Sequence, residues 1–259
     1  ASFARGKSFD ELHQWSVKSP EEFWSSIWQF CGMVGERGDR VVTRTANPSD
    51  PAVEFISTRF FPDAKLSIVE NFLQRTGDGE ALVAIDETGK RRTRSWDELR
   101  QRVANLASAL ERLGIESGDR VAVWLPNSIE AIETMLAAAS LGAIFSSCSP
   151  DFGAQGVLDR FSQISPKVLV ATDSYIYGGK KFDCLERLAT VQNGLPSLHT
   201  TLLVSSSEIA TQKSTTSYET FLESGASTPV APRRFGFDHP WYVLYSSGTT
   251  GVPKCIVHR

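Results

Sequence analysis

Trp241-Tyr-Val-Leu-Tyr-Ser-Ser-Gly-Thr-Thr-Gly-Val-Pro-Lys-Cys-Ile-Val-His258 changes character in its middle. Trp241 to Tyr245 are apolar or aromatic and read as a buried strand, whereas Ser246 to Lys254 are small, hydroxylated and glycine-rich. By composition the second part is a phosphate cradle. Gly248 and Gly251 let the backbone take positive φ and bring its N–H groups close to an anion. Ser246, Ser247, Thr249 and Thr250 add short hydroxyl donors, and Lys254 adds a mobile positive charge beyond the turn. Pro253 stiffens the exit and disfavours a helix at Val252. The common P-loop needs Gly-Lys-Ser/Thr at its end; here proline precedes the lysine and cysteine follows it.

Upstream of this stretch, residues 205–236 are polar and turn-rich and read as a surface excursion, with a helical piece near Tyr218 to Leu222. From residue 80 to residue 204 the pattern is α/β. Ala81 to Ile85 reads as a short strand with a polar return at Lys90 to Thr93. Ser95-Trp-Asp-Glu98 has the capping-box form and opens a helix whose Leu99, Val103, Leu106, Leu110 and Leu113 share a face. Val121 to Leu125 is a continuous apolar run of the kind buried on both faces of a parallel sheet. Ile129 to Leu141 reads as the next helix, with Ile132, Met135, Leu136 and Ala139 inward and Gly142 as its cap. A strand at Ala143 to Ser147, a helix around Gly156 to Ile164 and a strand at Val168 to Thr172 follow. Short-looped alternation of this kind predicts a mostly parallel sheet with flanking helices joined by right-handed crossovers.

Residues 1–76 read as a helical extension preceding that domain, which occupies 77–259. Ser8-Phe-Asp-Glu11 and Ser19-Pro-Glu-Glu22 are capping boxes, and Ser67 to Glu70 is a third. Phe23, Ile27 and Phe30 share one face of the second helix, with Trp24 and Trp28 on the neighbouring stripe, a packing surface rather than a ligand cage. Residues 44–59 contain Pro48 and Pro51 and read as a wandering connection.

A chain of 259 residues with 41% hydrophobic and 22% charged content can bury a sizeable core. A net charge of −3 gives no electrostatic basis for binding nucleic acid or an anionic membrane. The four cysteines have no Cys-x-x-Cys spacing, which argues against zinc and against a disulfide framework and favours a reducing, cytoplasmic compartment. His13, His199, His239 and His258 stand in no metal-ligand spacing, so no resident metal is expected.

Tyr245 to Lys254, residue for residue, resembles the nucleotide loop of the adenylate-forming superfamily of acyl-CoA synthetases, luciferases and peptide-synthetase adenylation domains. Ser146-Ser-Cys-Ser-Pro-Asp-Phe-Gly-Ala-Gln-Gly-Val-Leu-Asp-Arg-Phe-Ser-Gln-Ile164 is similar to the short-chain acyl-CoA synthetase branch, nearest to its acetoacetate-activating members. His13-Gln-Trp-Ser16 and Phe23-Trp24 resemble the N-terminal extension of the same group. The resemblance implies the N-terminal part of the large domain of such an enzyme. The activity it implies is a two-step ligation: acetoacetate attacks the α-phosphorus of ATP to give an acyl-adenylate and pyrophosphate, and CoA sulfur then displaces AMP.

On the matched positions Ser246, Ser247, Gly248, Thr249, Thr250 and Gly251 would hold the β- and γ-phosphates, with Mg²⁺ sharing the charge and Lys254 assisting. At Asp173-Ser-Tyr-Ile-Tyr-Gly-Gly-Lys-Lys181, Tyr177 and Lys180 stand where related acetyl-CoA synthetases carry an Arg-x-x-Arg pair for the 3′-phosphate of CoA, with Lys181 adjacent. Tyrosine cannot replace a bidentate guanidinium, so this is either an altered CoA contact or a plain Gly-Gly turn with solvated lysines. The superfamily's adenine-binding loop, acidic Mg²⁺ residue, ribose-binding aspartate and mobile lysine domain would follow the phosphate loop. The sequence therefore reads as a piece of a larger ligase, not expected to catalyse either half-reaction by itself. Alternative readings are an acetate- or propionate-activating ligase, and a non-catalytic nucleotide-binding fragment.

Overall fold

The computed structural model describes residues 6–45, 50–205, 215–225, 230–246 and 251–259. The chain divides into two compact units, residues 1–71 with 234–239, and residues 72–233 with 240–259.

The first unit begins with α1 (Phe9–Lys18) and α2 (Pro20–Phe30). Ser8 and Glu11 form the expected reciprocal box, the Glu11 carboxylate accepting from the Ser8 N–H at 2.7 Å. The second box is not made. Ser19 also ends α1, giving its N–H to Trp15, so the chain turns there with φ −134 and ψ 63 and its hydroxyl caps nothing; Pro20, with no N–H to satisfy, starts α2 unaided. The expected aromatic face of α2 packs except at its end: Phe23 meets Trp15 at 5.3 Å, and Trp24 and Trp28 lie tilted against Phe60 and Phe61 at 5.0 and 4.9 Å, while Phe30 is 61% exposed. Short ladders β1 (Gly35–Glu36), β2 (Val42–Thr43), β3 (Arg59–Phe60) and β4 (Lys65–Leu66) pair as β1 with β4 and β2 with β3. Between them lies α3 (Pro51–Ser57), where a wandering connection was expected. Asp50 accepts from the Ala52 N–H at 3.0 Å, and Pro51 occupies the first helical position, where proline favours rather than breaks a helix. α4 (Ile68–Phe72) makes half of its box: Ser67 accepts from the Glu70 N–H, but the Glu70 carboxylate turns to Arg234 at 2.7 and 3.0 Å.

The second unit opens with β5 (Glu80–Ile85) and β6 (Arg91–Ser95), an antiparallel hairpin forming its own two-stranded sheet. α5 (Trp96–Arg112) starts at the Ser95–Glu98 box and buries Leu99, Val103, Leu106 and Leu110. β7 (Arg120–Trp124), α6 (Ile129–Leu141), β8 (Ile144–Cys148), α7 (Ala154–Phe161) and β9 (Val168–Thr172) follow as the alternation predicts. The hairpin β10 (Ser174–Tyr177) and β11 (Lys180–Asp183) precedes α8 (Leu185–Gly194) and β12 (Thr200–Val204). β13 (Thr215–Ser217), α9 (Tyr218–Ser224), β14 (Tyr242–Ser246) and β15 (Lys254–His258) complete the unit.

Among the described residues the main sheet has the order β13-β12-β9-β7-β8-β14-β15, parallel except for the final pair. Strand alternation divides β7 between two cores. Val121 and Val123 join the layer of α5, α6 and α9, whereas Ala122 and Trp124 join that of α7 and α8. Gly142 ends α6 with φ 75, the left-handed turn expected of it. The inward face of α6 is less apolar than its sequence suggests: Ile132 is 37% exposed, and Glu130 and Glu133 are buried. β14 is likewise not the fully buried strand expected. Val243 is buried and Leu244, on the opposite face, is 45% exposed.

Candidate active site at the carboxyl edge of the sheet

In an open parallel sheet, ligands bind outside the carboxyl ends of the strands. At that edge β7 ends in Trp124, whose Nε1 donates to the Ser149 carbonyl at 3.1 Å and so holds the loop that follows β8. Arg187, near the start of α8, donates to the Pro150 carbonyl at 3.3 Å and to the Asp183 carbonyl at 3.0 Å. Its guanidinium lies 5.8 Å from the Trp124 ring and 5.9 Å from the Tyr175 ring. The Ser149 to Gly153 turn is thus pinned from two sides. Arg160 of α7 lies 4.0 Å over the Phe152 ring and 6.0 Å from the Tyr245 ring, and donates to the Gly156 carbonyl at 2.6 Å. Among the described residues its charge has no carboxylate partner.

β14 and β15 bring the two ends of the glycine and hydroxyl run together. Tyr245 faces Cys255, and Ser246 faces Lys254, in adjacent antiparallel pairs. Directly opposed residues share a sheet face, so Ser246 and Lys254 lie on one side and Tyr245 and Cys255 on the other. The Tyr245 ring is 6.5 Å from Phe161, its hydroxyl is 3.3 Å from Ser146 Oγ, and burial pushes its pKa up to about 12. Ser146 Oγ donates to the Val243 carbonyl at 2.9 Å. Gly251 has φ +118, a backbone that L side chains rarely adopt, and a Cβ there would meet no atom of the described residues within 4 Å. Lys254 is exposed and has no anionic partner among the described residues. Ser247, Gly248, Thr249 and Thr250 lie outside the described residues.

The second predicted cluster sits on the β10–β11 hairpin. Tyr177 pairs with Lys180 across Gly178 and Gly179, whose φ values of 57 and 72 belong to the two-residue turn that glycines favour. Tyr177 and Lys180 therefore share a face. Lys181, opposite Ile176, takes the other. The Gly179 N–H donates to Glu87 at 3.3 Å, joining this turn to that of the β5–β6 hairpin. The cluster follows β9 and the glycine run follows β14. Three strand spacings, about 14 Å, separate those strands in the sheet.

Gln163 and Arg160 were not singled out by sequence. Both lie in the 146–164 stretch, but nothing in their local pattern says which way they point. The described residues contain no group of three or more His, Cys, Asp or Glu side chains able to hold a metal ion. No helix is long and apolar enough to cross a membrane among the described residues.

The fold is a doubly wound, mostly parallel sheet, with the glycine- and hydroxyl-rich run 246–254 lying in sequence between the ends of β14 and β15. The chain belongs to the AMP-binding enzyme family, whose model matches residues 69–259. It is 42% identical over 98% of its length to an acetoacetyl-coenzyme A synthetase of Rhizobium meliloti (strain 1021), and 38% identical over 97% to an acetoacetyl-CoA synthetase of Rattus norvegicus. A solved structure of acetoacetyl-CoA synthetase from Streptomyces lividans superposes with a TM-score of 0.85 at 36% identity, covering 98% of this chain and 38% of that one. The chain spans 39% and 38% of the length of the two sequence relatives.

Proposed function

We propose that the protein serves the ATP-dependent ligation of acetoacetate to CoA, through an acetoacetyl-adenylate, with release of AMP and pyrophosphate. The observation that carries this reading is the β14–β15 pairing, which sets Ser246 against Lys254 at the carboxyl edge of a parallel sheet. The likeness to acetoacetyl-CoA synthetases along nearly the whole chain supports the choice of acid. A carboxylate is a weak nucleophile, and the charge that builds on the phosphates must be met by fixed donors. Ser246, Ser247, Gly248, Thr249, Thr250 and Gly251 supply N–H and hydroxyl donors to the β- and γ-phosphates, and Lys254 supplies charge from the shared face. Tyr177 and Lys180, paired on the hairpin, meet the 3′-phosphate of CoA, with Lys181 turned away. Residues 1–76 form the extension and residues 77–259 the N-terminal part of the AMP-binding domain. The ligands are small molecules, with no nucleic acid or membrane partner, and the setting is the cytoplasm.

The test is acetoacetate-dependent pyrophosphate exchange by the full-length protein carrying Lys254→Ala. Loss of one charged donor at the developing phosphate charge is expected to slow exchange about 100-fold. Exchange at the native rate would remove Lys254, and with it the phosphate assignment. Comparing acetoacetate, acetate and propionate in the same assay decides the acid.

A further inference from the structure

Three bonds converge on the carboxamide of Gln163, just beyond α7. Its Nε2 donates to the Asp159 carbonyl at 2.6 Å and to the Pro253 carbonyl at 2.8 Å. Its Oε1 lies 3.4 Å from Cys255 Sγ, which donates to it. Both amide hydrogens and one acceptor site are therefore engaged, two of the three bonds reaching residues about ninety positions away. Gln163 is itself exposed, so burial does not force these bonds on it. The two distant partners are the residues immediately before and after Lys254. Burial pushes the Cys255 thiol up, so the sulfur carries the proton it donates. In β15 Cys255 points to the α7 side and Lys254 to the opposite side, beside Ser246.

We infer that Gln163 is a positioning residue: its carboxamide brackets Lys254 from both flanks and fixes the direction in which the lysine leaves the sheet toward a nucleotide phosphate. The inference rests on the phosphate reading of Lys254 and names a residue on which that reading depends. The first anchor, Asp159, belongs to α7, so the bracket ties the lysine to the helix that follows the Ser149 to Gly153 turn. A lysine on a free strand would sweep a wide arc; one whose neighbours are both held presents its ammonium to a smaller volume, which is where orientation contributes to rate.

The test uses the full-length protein with Gln163→Met, which keeps the length of the side chain and removes all three bonds, and Gln163→Glu, which keeps the acceptor for Cys255 and loses the donors. In Gln163→Met the exchange rate is expected to fall about tenfold, and site-resolved iodoacetamide labelling of Cys255 to quicken. Gln163→Glu should keep Cys255 labelling slow while still losing exchange. Because Gln163 acts through Lys254, adding Gln163→Met to Lys254→Ala should cost no further activity. The same loss in the Lys254→Ala background as in the native one, or native exchange in Gln163→Met, would overturn the inference. Should Lys254→Ala alone leave exchange unchanged, the phosphate reading fails, and unchanged Cys255 labelling in Gln163→Met would then show that the bracket is absent too.

Discussion

Cys148 ends β8 with its thiol buried, and burial pushes its pKa up to about 12. Cys184 is buried beside Arg187, and its thiol is also raised by burial despite that cation. A raised thiol pKa keeps the sulfur protonated at neutral pH, and only the thiolate is a good nucleophile. Iodoacetamide at pH 8 is therefore expected to modify the exposed Cys31 first and to reach Cys148 and Cys184 only under denaturing conditions. Peptide mass mapping against time checks this, and equal rates at Cys31 and Cys148 would refute it. At this scale the sequence was informative wherever chemistry is carried by local composition. Ser246, Gly251 and Lys254 announce themselves by residue type. Gln163 does not, because its role depends on a strand ninety residues away. Glu130 and Glu133 were hidden for the opposite reason: on a helix otherwise mostly apolar, a glutamate reads as the solvent side.

Secondary-structure elements were legible where one local signal decided them. The Ser95 to Glu98 box, the apolar run of β7 and the left-handed stop at Gly142 each depend on a few neighbouring residues. β14 was legible from its apolar run, but β10, β11 and β15 were not, since they are only four or five residues long and their pairing defines them. α3 was missed because Pro51 punctuates a loop or starts a helix depending on whether Asp50 caps it. Contacts between elements were not legible, and Gly225 shows why. It closes α9 with φ near −80, which any residue adopts, so nothing local requires glycine. Yet a Cβ at this position would lie 1.8 Å from the Asn105 carbonyl oxygen and 3.1 Å from the Ala109 nitrogen, both backbone atoms of α5. Gly225→Ala must push α9 away from α5, and overpacking of this kind is expected to lower unfolding free energy by about 3 kcal/mol. Equilibrium denaturation in urea measures it. A native midpoint would mean that α9 does not approach α5 this closely.

Across the sheet-bearing unit, the parallel sense of the strands follows from the alternation of elements, but neither their order nor the charges buried above the sheet do. Glu133 of α6 has a side chain with no exposed surface, and it accepts from Arg102 Nε at 2.6 Å, from Arg94 Nε at 3.2 Å and from the Tyr218 hydroxyl at 3.1 Å. Arg102 reaches on to Glu219 at 2.8 Å, so one carboxylate ties α5, α6, α9 and the β5–β6 hairpin together. Removing one member of a buried pair leaves the other uncompensated, and Glu133→Ala is expected to cost about 3 to 5 kcal/mol.

Glu130, one turn earlier on α6, gives the same unit its acid sensitivity. Burial opposes its ionisation, but Arg92, bonded at 2.6 and 3.1 Å, more than offsets this and holds the carboxyl below its ordinary 4.5. A depressed folded-state pKa stabilises the fold at pH values above 4.5, and that contribution is lost as pH falls through the lower folded value. Wild-type stability should thus decline below pH 4.5 more steeply than that of Glu130→Gln. The variant should start about 2 kcal/mol lower at neutral pH, because a charge-assisted bond is gone. Urea midpoints of both proteins between pH 7 and pH 3 decide the matter. Parallel curves would mean that the Arg92 contact does not govern the titration, whereas convergence toward low pH would assign this part of the acid response to Glu130.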